Sequence, residues 1–273
     1  MKTLEHETLL YDKDCPLCQV YTKGFVKTGM LDQNGRQPYS EISSGDQTYV
    51  DMKRATDEIA LINRKNKTVT YGIDSLLKVI GHSFPWIEKV GHFAPVHFFL
   101  RKLYAFISYN RKVIIPSKVS KLTAIQCIPN FNYRYRLLFI GLIGVIVSLI
   151  LNGFYQSISY VKSSIFLFEL CFVLGQLPFQ TLFILKADPE TKVNYYGNVM
   201  TISLFGSLLV LPVSLLNIFF PLGDIVLTSY FGIVVSIMFF EHERRVELLA
   251  YPKYLSYTWI LYRLLLLPII LNL

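Results

Sequence analysis

The sequence predicts two unlike parts: a small α/β head over residues 1–116 and an all-α transmembrane bundle of four to five spans over 137–273. A basic connector over 117–136 joins them. Three observations carry this. An apolar run, Thr8 to Tyr11, ends in an acidic turn and two cysteines two residues apart; five long apolar runs fill the second half; and the charge is concentrated between the two. A hydrophobic content of 52% and a mean hydropathy of +0.40 exceed what a water-soluble chain of average composition carries.

The charge is local. Residues 1–88 hold 11 Lys/Arg and 12 Asp/Glu, residues 89–168 hold 10 and none, and residues 169–273 hold 6 and 7. A basic block of this kind suits either nucleic acid or anionic lipid headgroups. Its place directly before an apolar run favours lipid, so a membrane surface is the expected partner and nucleic acid is not. The opening MKTLEHETLLYDKD has no apolar core of signal-peptide type, so the head is expected to stay in the cytoplasm.

In order, Thr8 to Tyr11 reads as a strand and Cys15 to about Lys27 as a helix with Pro16 in its first turn, where the missing N–H costs nothing. A second strand is expected near Gln37 to Ile42. Asp57 to Asn63 and Lys67 to Tyr71 read as a hairpin turning through Arg64 to Asn66, and Ile73 to Ile80 as a helix. This order is that of a thioredoxin-like α/β sandwich.

Sulfurs at the first and fourth positions of a helical turn can close a disulfide with little movement. A CxxC in an intracellular head is more often catalytic or metal-binding than part of a disulfide framework. A zinc site needs about four ligands, and the sequence offers no second CxxC; His82, His92 and His97 read as single surface or packing histidines. No metal or other cofactor is therefore expected.

Asp12, Cys15 and Cys18 form a D-x-x-C-x-x-C signature. With its context LLYDKDCPLC, it resembles the DCC family of thiol-disulfide oxidoreductases. Two further stretches are similar to that family: Tyr71-Gly72-Ile73-Asp74-Ser75-Leu76-Leu77, as a glycine-led helix, and the closing segment from Leu103 and Tyr104 to Asn110 and Arg111. The resemblance spans residues 9–112. It implies a redox-active couple in which Cys15 attacks a disulfide-bearing protein or small thiol substrate and Cys18 resolves the mixed disulfide. A helix N-terminus favours the thiolate, whereas Asp12 and Asp14 oppose it. Asp12 either moves protons for Cys18 or caps the turn, and Asp14 is expected to cap. The stretch before the third strand, Arg54 to Asp57, has no proline where thioredoxins carry one.

Gly91 to Lys112 interleaves Phe93, Phe98, Phe99, Leu103, Phe106 and Ile107 with Arg101, Lys102, Arg111 and Lys112. It is expected to pack on the head's sheet and to lay its outer face on the inner leaflet. Lys118, Lys121, Arg134 and Arg136 extend the basic stretch.

The apolar runs are Leu137–Tyr155, Ile165–Leu185, Val199–Leu222, Ile225–Phe240 and Tyr257–Leu273. The first three read as long enough to cross; of the two short ones, the fourth becomes adequate if Gly223 to Glu241 is included, and the fifth, with Arg263 and Pro268, either crosses marginally or lies re-entrant. Lys162, then Lys186 and Lys192, then no basic residue, then Arg244, Arg245 and Lys253 mark the successive links. The richer side is the head's, which places the head in the cytoplasm of a bacterial-type inner-membrane protein. Glu169, Gln176 and Gln180 share one helical face, suited to interhelical hydrogen bonds or to ion transport. Arg263 reads as snorkelling to the inner surface, and Glu241 to Arg245, EHERR, as a solvated helix end. Cys127 and Cys171 read as structural.

Two functions follow. The first is a membrane-anchored thiol-disulfide oxidoreductase, acting as reductase or redox relay. The second is a membrane transporter or scaffold whose CxxC head senses redox state; a non-catalytic metal-binding head stands behind both.

Overall fold

The computed structural model describes residues 2–117, 131–161 and 165–272. The chain divides into two compact units, Met1–Asn132 and Tyr133–Leu273.

The first unit is a small mixed sheet between helices. Strand β1 (Glu7–Tyr11) is buried along its whole length and leads into helix α1 (Pro16–Lys27). Strand β2 (Arg36–Pro38) runs parallel to β1. Strands β3 (Ala60–Asn63) and β4 (Thr68–Tyr71) form the expected hairpin, with β3 antiparallel to both β1 and β4. The order across the sheet is β2-β1-β3-β4.

Alternate residues of each strand feed opposite layers, as a pleated strand requires. Leu9 and Leu61 join Leu31 and Val79 on one face, where Tyr21, Phe25 and Tyr104 pack. Leu10, Ala60 and Ile62 join Tyr39, Val50 and Ala55 on the other.

The second strand is shorter than the sequence suggests. Pro38 has no N–H to extend a ladder, and a single 3-10 turn, Tyr39–Glu41, follows. That turn buries Tyr39, whose hydroxyl donates to the Glu58 carbonyl at 3.1 Å. Asp57 lies in a helix rather than a strand. Two short helices, α2 (Ser44–Gln47) and α3 (Met52–Asp57), precede β3, with Ser43 and Asp51 accepting the Asp46 and Arg54 N–H groups at 3.1 and 3.0 Å.

Helix α4 (Gly72–Ser83) begins at a glycine with φ +62°, its N–H donating to the Ile59 carbonyl at 2.8 Å. A Cβ there would stand 2.9 Å from the Glu58 carboxylate. Helix α5 (Pro85–Gly91) leads to α6 (Ala94–Ile114). Helix α6 is tied to the edge of β3: the Tyr104 hydroxyl accepts the Ile59 N–H at 2.8 Å, and Ser108 Oγ donates to the Asp57 carbonyl at 2.7 Å. Its other face leaves Phe98, Phe99, Leu103 and Ile107 exposed, next to exposed Trp86, Val90 and Phe93.

The second unit contains α7 (Tyr133–Tyr155), α8 (Phe166–Thr181), α9 (Pro189–Phe219), α10 (Asp224–Leu248) and α11 (Tyr254–Asn272). Among the described residues four helices, α7, α9, α10 and α11, are long and apolar enough to cross a membrane. The length expectation for the runs is corrected at two places, and the fourth run, with residues added at both ends, is a 25-residue helix. The second run yields only 16 helical residues, about 24 Å at 1.5 Å per residue, because after Pro178 the chain tightens into i→i+3 turns from Phe179 onward. The fifth run gains Tyr254 to Ser256 and becomes a full-length helix. Of the expected connector, 118–130 lies outside the described residues, as does Lys162; Arg134 and Arg136 belong to α7, and Arg136 is buried.

Several polar groups of this unit are buried, while many large apolar side chains face outward. Gln176, Gln180, Ser207 and His242 are buried, whereas Leu138, Ile218, Phe219 and Ile225 are exposed, the arrangement of a protein solvated by hydrocarbon. The predicted Glu169/Gln176/Gln180 face is buried, and α11 meets it. Gln176 Nε2 donates to the Trp259 carbonyl at 3.4 Å, and Gln180 Oε1 accepts from Thr258 Oγ1 at 3.0 Å.

The EHERR segment is not a solvated helix end. His242 is buried between the Tyr195 hydroxyl and Ser256 Oγ, 3.0 Å from each, and Arg245 donates to Asn198 Oδ1 at 2.9 Å and to Glu241 at 2.7 Å. Helices α9 and α11 supply Tyr195, Asn198 and Ser256, and Glu241 comes from α10 itself. Arg263 lines a cavity of about 170 Å³ whose wall is otherwise mostly apolar, with Tyr155, Ser203, Met238 and Trp259 among its residues.

Candidate functional site

The site is built where β1 hands over to α1. Residues 12–15 reverse the chain: the Asp12 carboxylate accepts the Asp14 N–H at 2.9 Å, and the Asp12 carbonyl accepts the Cys15 N–H at 3.2 Å. Asp12 is therefore the residue that caps the turn. Cys15 takes an extended backbone, φ −94° and ψ 108°, and is the N-cap of α1, with Pro16 in the first helical turn. A proline there leaves no N–H wanting, and a sulfur at the cap can serve as acceptor. Cys15 Sγ does so, taking the Cys18 N–H at 3.4 Å.

One turn into α1, Cys18 faces inward. Both thiols are reduced and buried, and they lie within hydrogen-bonding reach of each other. Thr22 Oγ1 donates to the Cys18 carbonyl at 2.8 Å, which pins this turn of the helix. Arg111 arrives from the end of α6: its Nη1 is 3.9 Å from Cys18 Sγ and its Nη2 is 4.0 Å from the Asp12 carboxylate. The guanidinium is itself buried.

These neighbours split the two thiols. A hydrogen bond from the Cys15 thiol lowers the Cys18 pKa most; burial opposes it, and the Arg111 charge and the Tyr21 hydroxyl add to it, bringing Cys18 to about 7. The same hydrogen bond, with burial, pushes Cys15 well above an ordinary thiol. Burial disfavours the charge of Arg111, but Cys18, Cys15 and Asp12 outweigh it and hold the guanidinium firmly protonated. Burial raises the Asp12 carboxyl against the lowering pull of the Asp14 N–H and Arg111. Between the two thiols these neighbours favour Cys18 as the one to carry charge, facing a cation, with the Cys15 S–H donating to it.

The three residues predicted for the site, Asp12, Cys15 and Cys18, are brought together. Arg111 was legible as part of a closing N-R pair but not as a partner of Cys18. Tyr21 was missed; its one signal is the i, i+3 spacing from Cys18, which places both on one face of α1. Cys171 on α8 is exposed and reduced, and Cys127 lies outside the described residues. His92 and His97 do not stand singly, because their rings stack with centroids 5.6 Å apart and His97 meets Asp74.

Fold and site together describe a helical membrane-type protein carrying a buried, reduced cysteine pair in a mixed-sheet head. No protein-family model, curated protein or solved structure matches the chain.

Proposed function

We propose that this protein is a membrane-anchored thiol-disulfide oxidoreductase with a thioredoxin-like head of DCC type, acting as a reductase or redox relay. The observation that carries the reading is the convergence of Arg111, Tyr21 and the Cys15 thiol on the Cys18 sulfur at the start of α1. Such an arrangement keeps one thiolate available near neutral pH. The sheet order β2-β1-β3-β4 with β3 reversed supports the thioredoxin-like reading, and the motif resemblance supports the family.

In the proposed cycle the proton moves along the Cys15–Cys18 hydrogen bond, so that Cys15, at the open end of the helix, becomes the thiolate that attacks. It forms a mixed disulfide with one substrate sulfur and expels the other as a thiolate, which takes a proton from water. Cys18 passes its proton to solvent, with Asp12 beside Arg111 as the local relay, and its thiolate then attacks Cys15 Sγ. The second substrate thiolate leaves, the Cys15–Cys18 disulfide forms, and two electrons have passed to the substrate. A cellular dithiol or small-thiol reductant restores the pair.

The experiment is disulfide reduction by the purified full chain with a dithiol as electron source. Cys15→Ser should abolish it, and Cys18→Ser should accumulate a mixed disulfide on Cys15. Unchanged reduction by the Cys15→Ser protein would end this reading.

The proposed location is a bacterial-type inner membrane with the head in the cytoplasm and its basic flank against anionic lipid. Arg101 and Lys102, beside the exposed aromatic face of α6, support contact with such a surface.

A second reading, a transporter or scaffold regulated by the head, is favoured by one observation: the cavity of about 170 Å³ carrying Arg263 within the bundle. Transport that answers to oxidant in the parent and persists in a Cys15/Cys18 double serine variant would favour it.

A further inference from the structure

We propose that Asp74, His92 and His97 form a three-ligand site for a divalent transition metal of the zinc class, with a coordination position left open to solvent. The site belongs to the head but uses none of the dithiol residues, and it does not rest on the redox reading.

Three separate elements supply the ligands. Asp74 stands in the first turn of α4, His92 closes α5, and His97 lies in the first turn of α6. The corner that carries both histidines is fixed by backbone hydrogen bonds, Phe93 N–H to the Val90 carbonyl at 3.2 Å and His97 N–H to the Phe93 carbonyl at 2.8 Å. Gly91, directly before His92, packs against Leu77 of α4 so closely that a Cβ would collide with that side chain. The corner is therefore held against the helix that bears Asp74.

The donor atoms are already gathered. His97 Nε2 and Asp74 Oδ1 are 2.7 Å apart, the two imidazoles stack with planes 24° apart, and one ligand atom from each residue falls within 4.8 Å of the others. Bonds of about 2.0–2.1 Å in a tetrahedral site set ligand atoms roughly 3.3 Å apart. Capture of an ion thus asks only for side-chain rotations that bring these donor atoms to tetrahedral spacing.

The chemistry of the set selects the ion. Two imidazoles and one carboxylate suit zinc, cobalt or ferrous iron, whereas calcium and magnesium require mostly oxygen ligands. His92 is exposed and the other two are half-buried, so water can complete the shell. Bound metal would replace the Asp74–His97 hydrogen bond with a clasp between α4 and the α5–α6 corner.

The test uses the full chain in detergent, freed of any polyhistidine tag, in a Cys15→Ser/Cys18→Ser background that removes the dithiol as a competing soft site. Titration with Co²⁺ should give one equivalent with visible d–d bands and no thiolate charge-transfer band, and Zn²⁺ should displace it. His97→Ala and Asp74→Asn should each weaken binding at least about tenfold, since loss even of an outer-sphere partner costs about 10–100-fold. His92→Ala alters an exposed side chain and so leaves folding intact. It should also abolish the rise in thermal midpoint that Zn²⁺ gives the parent. Absence of saturable binding, or binding unchanged in the His92→Ala and His97→Ala proteins, would overturn the proposal, and a band of thiolate character would assign the metal to Cys127 or Cys171 instead.

Discussion

Arg111 Nη1 lies 3.9 Å from Cys18 Sγ although 93 residues separate them in the chain. The contact joins the last helix of the head to the first and puts a buried cation beside the thiol favoured to carry charge.

Removing that cation should show directly in the thiol. With Arg111→Met, the Cys18 pKa is expected to rise from about 7 by about 1–3 units, the effect of an adjacent guanidinium on a buried anion. Thiolate absorbance against pH measures it, and an unmoved titration would show that Arg111 does not set the charge.

The Cys15 thiol is the largest cause of the low Cys18 value, so Cys15→Ala should also raise it. A rise of about one unit corresponds to about 1.4 kcal/mol. Iodoacetamide should then modify Cys18 several-fold more slowly at neutral pH than it modifies Cys18 in the parent.

Asp12 makes a prediction about pH. Its carboxyl is raised by burial, so the folded head holds this proton through a range where the unfolded chain has lost it. The associated stability is fully present below the ordinary carboxylate range and is lost as pH rises through the raised value. Asp12→Asn keeps an Oδ1 acceptor for the Asp14 N–H and removes the buried charge. Its thermal midpoint should exceed the parent's at about pH 7.5, and the two should converge at about pH 3.5, below the ordinary carboxylate range. A difference of the same size at both pH values would refute the assignment. The same variant should lower the Cys18 pKa further, because Asp12 opposes that thiolate.

Gly72 carries φ +62° with Glu58 close behind it. Gly72→Ala should cost about 1–2 kcal/mol from the left-handed backbone alone, seen as a lower denaturation midpoint. Loss of the Gly72–Ile59 anchor would also loosen Tyr104, and with it α6.

Trp86 reports on the aromatic face. In vesicles containing anionic brominated lipid, and in a Trp259→Phe background, its fluorescence should be quenched strongly, and less so when Arg101 and Lys102 become glutamine. Quenching that ignores both lipid charge and those substitutions would count against a headgroup contact.

Local features of the site were legible and distant ones were not. Cys15, Cys18, Asp12 and Pro16 lie within seven residues of one another, and their spacing specifies a helix start. Arg111 reaches the sulfur only through the packing of α6 against α1, which no periodicity encodes, and Tyr21 only through an i, i+3 spacing that any helix offers. The hairpin declared itself through its alternation, whereas α3, a helix of six residues capped by Asp51, is too short to show a period. The bundle's polar seam could be read from helical spacing. Its EHERR segment could not, because such runs are usually solvated, and here Tyr195, Ser256 and Asn198 from other helices receive it.

The placement of Arg111 also bears on where the head can be cut. A fragment stopping short of the final turns of α6 would retain both sulfurs, the acidic turn and the whole sheet, yet without Arg111 its Cys18 should titrate higher than in the intact head. A soluble piece chosen by its motif alone would then look inert, and the inertness would reflect the scissors, not the cysteine pair.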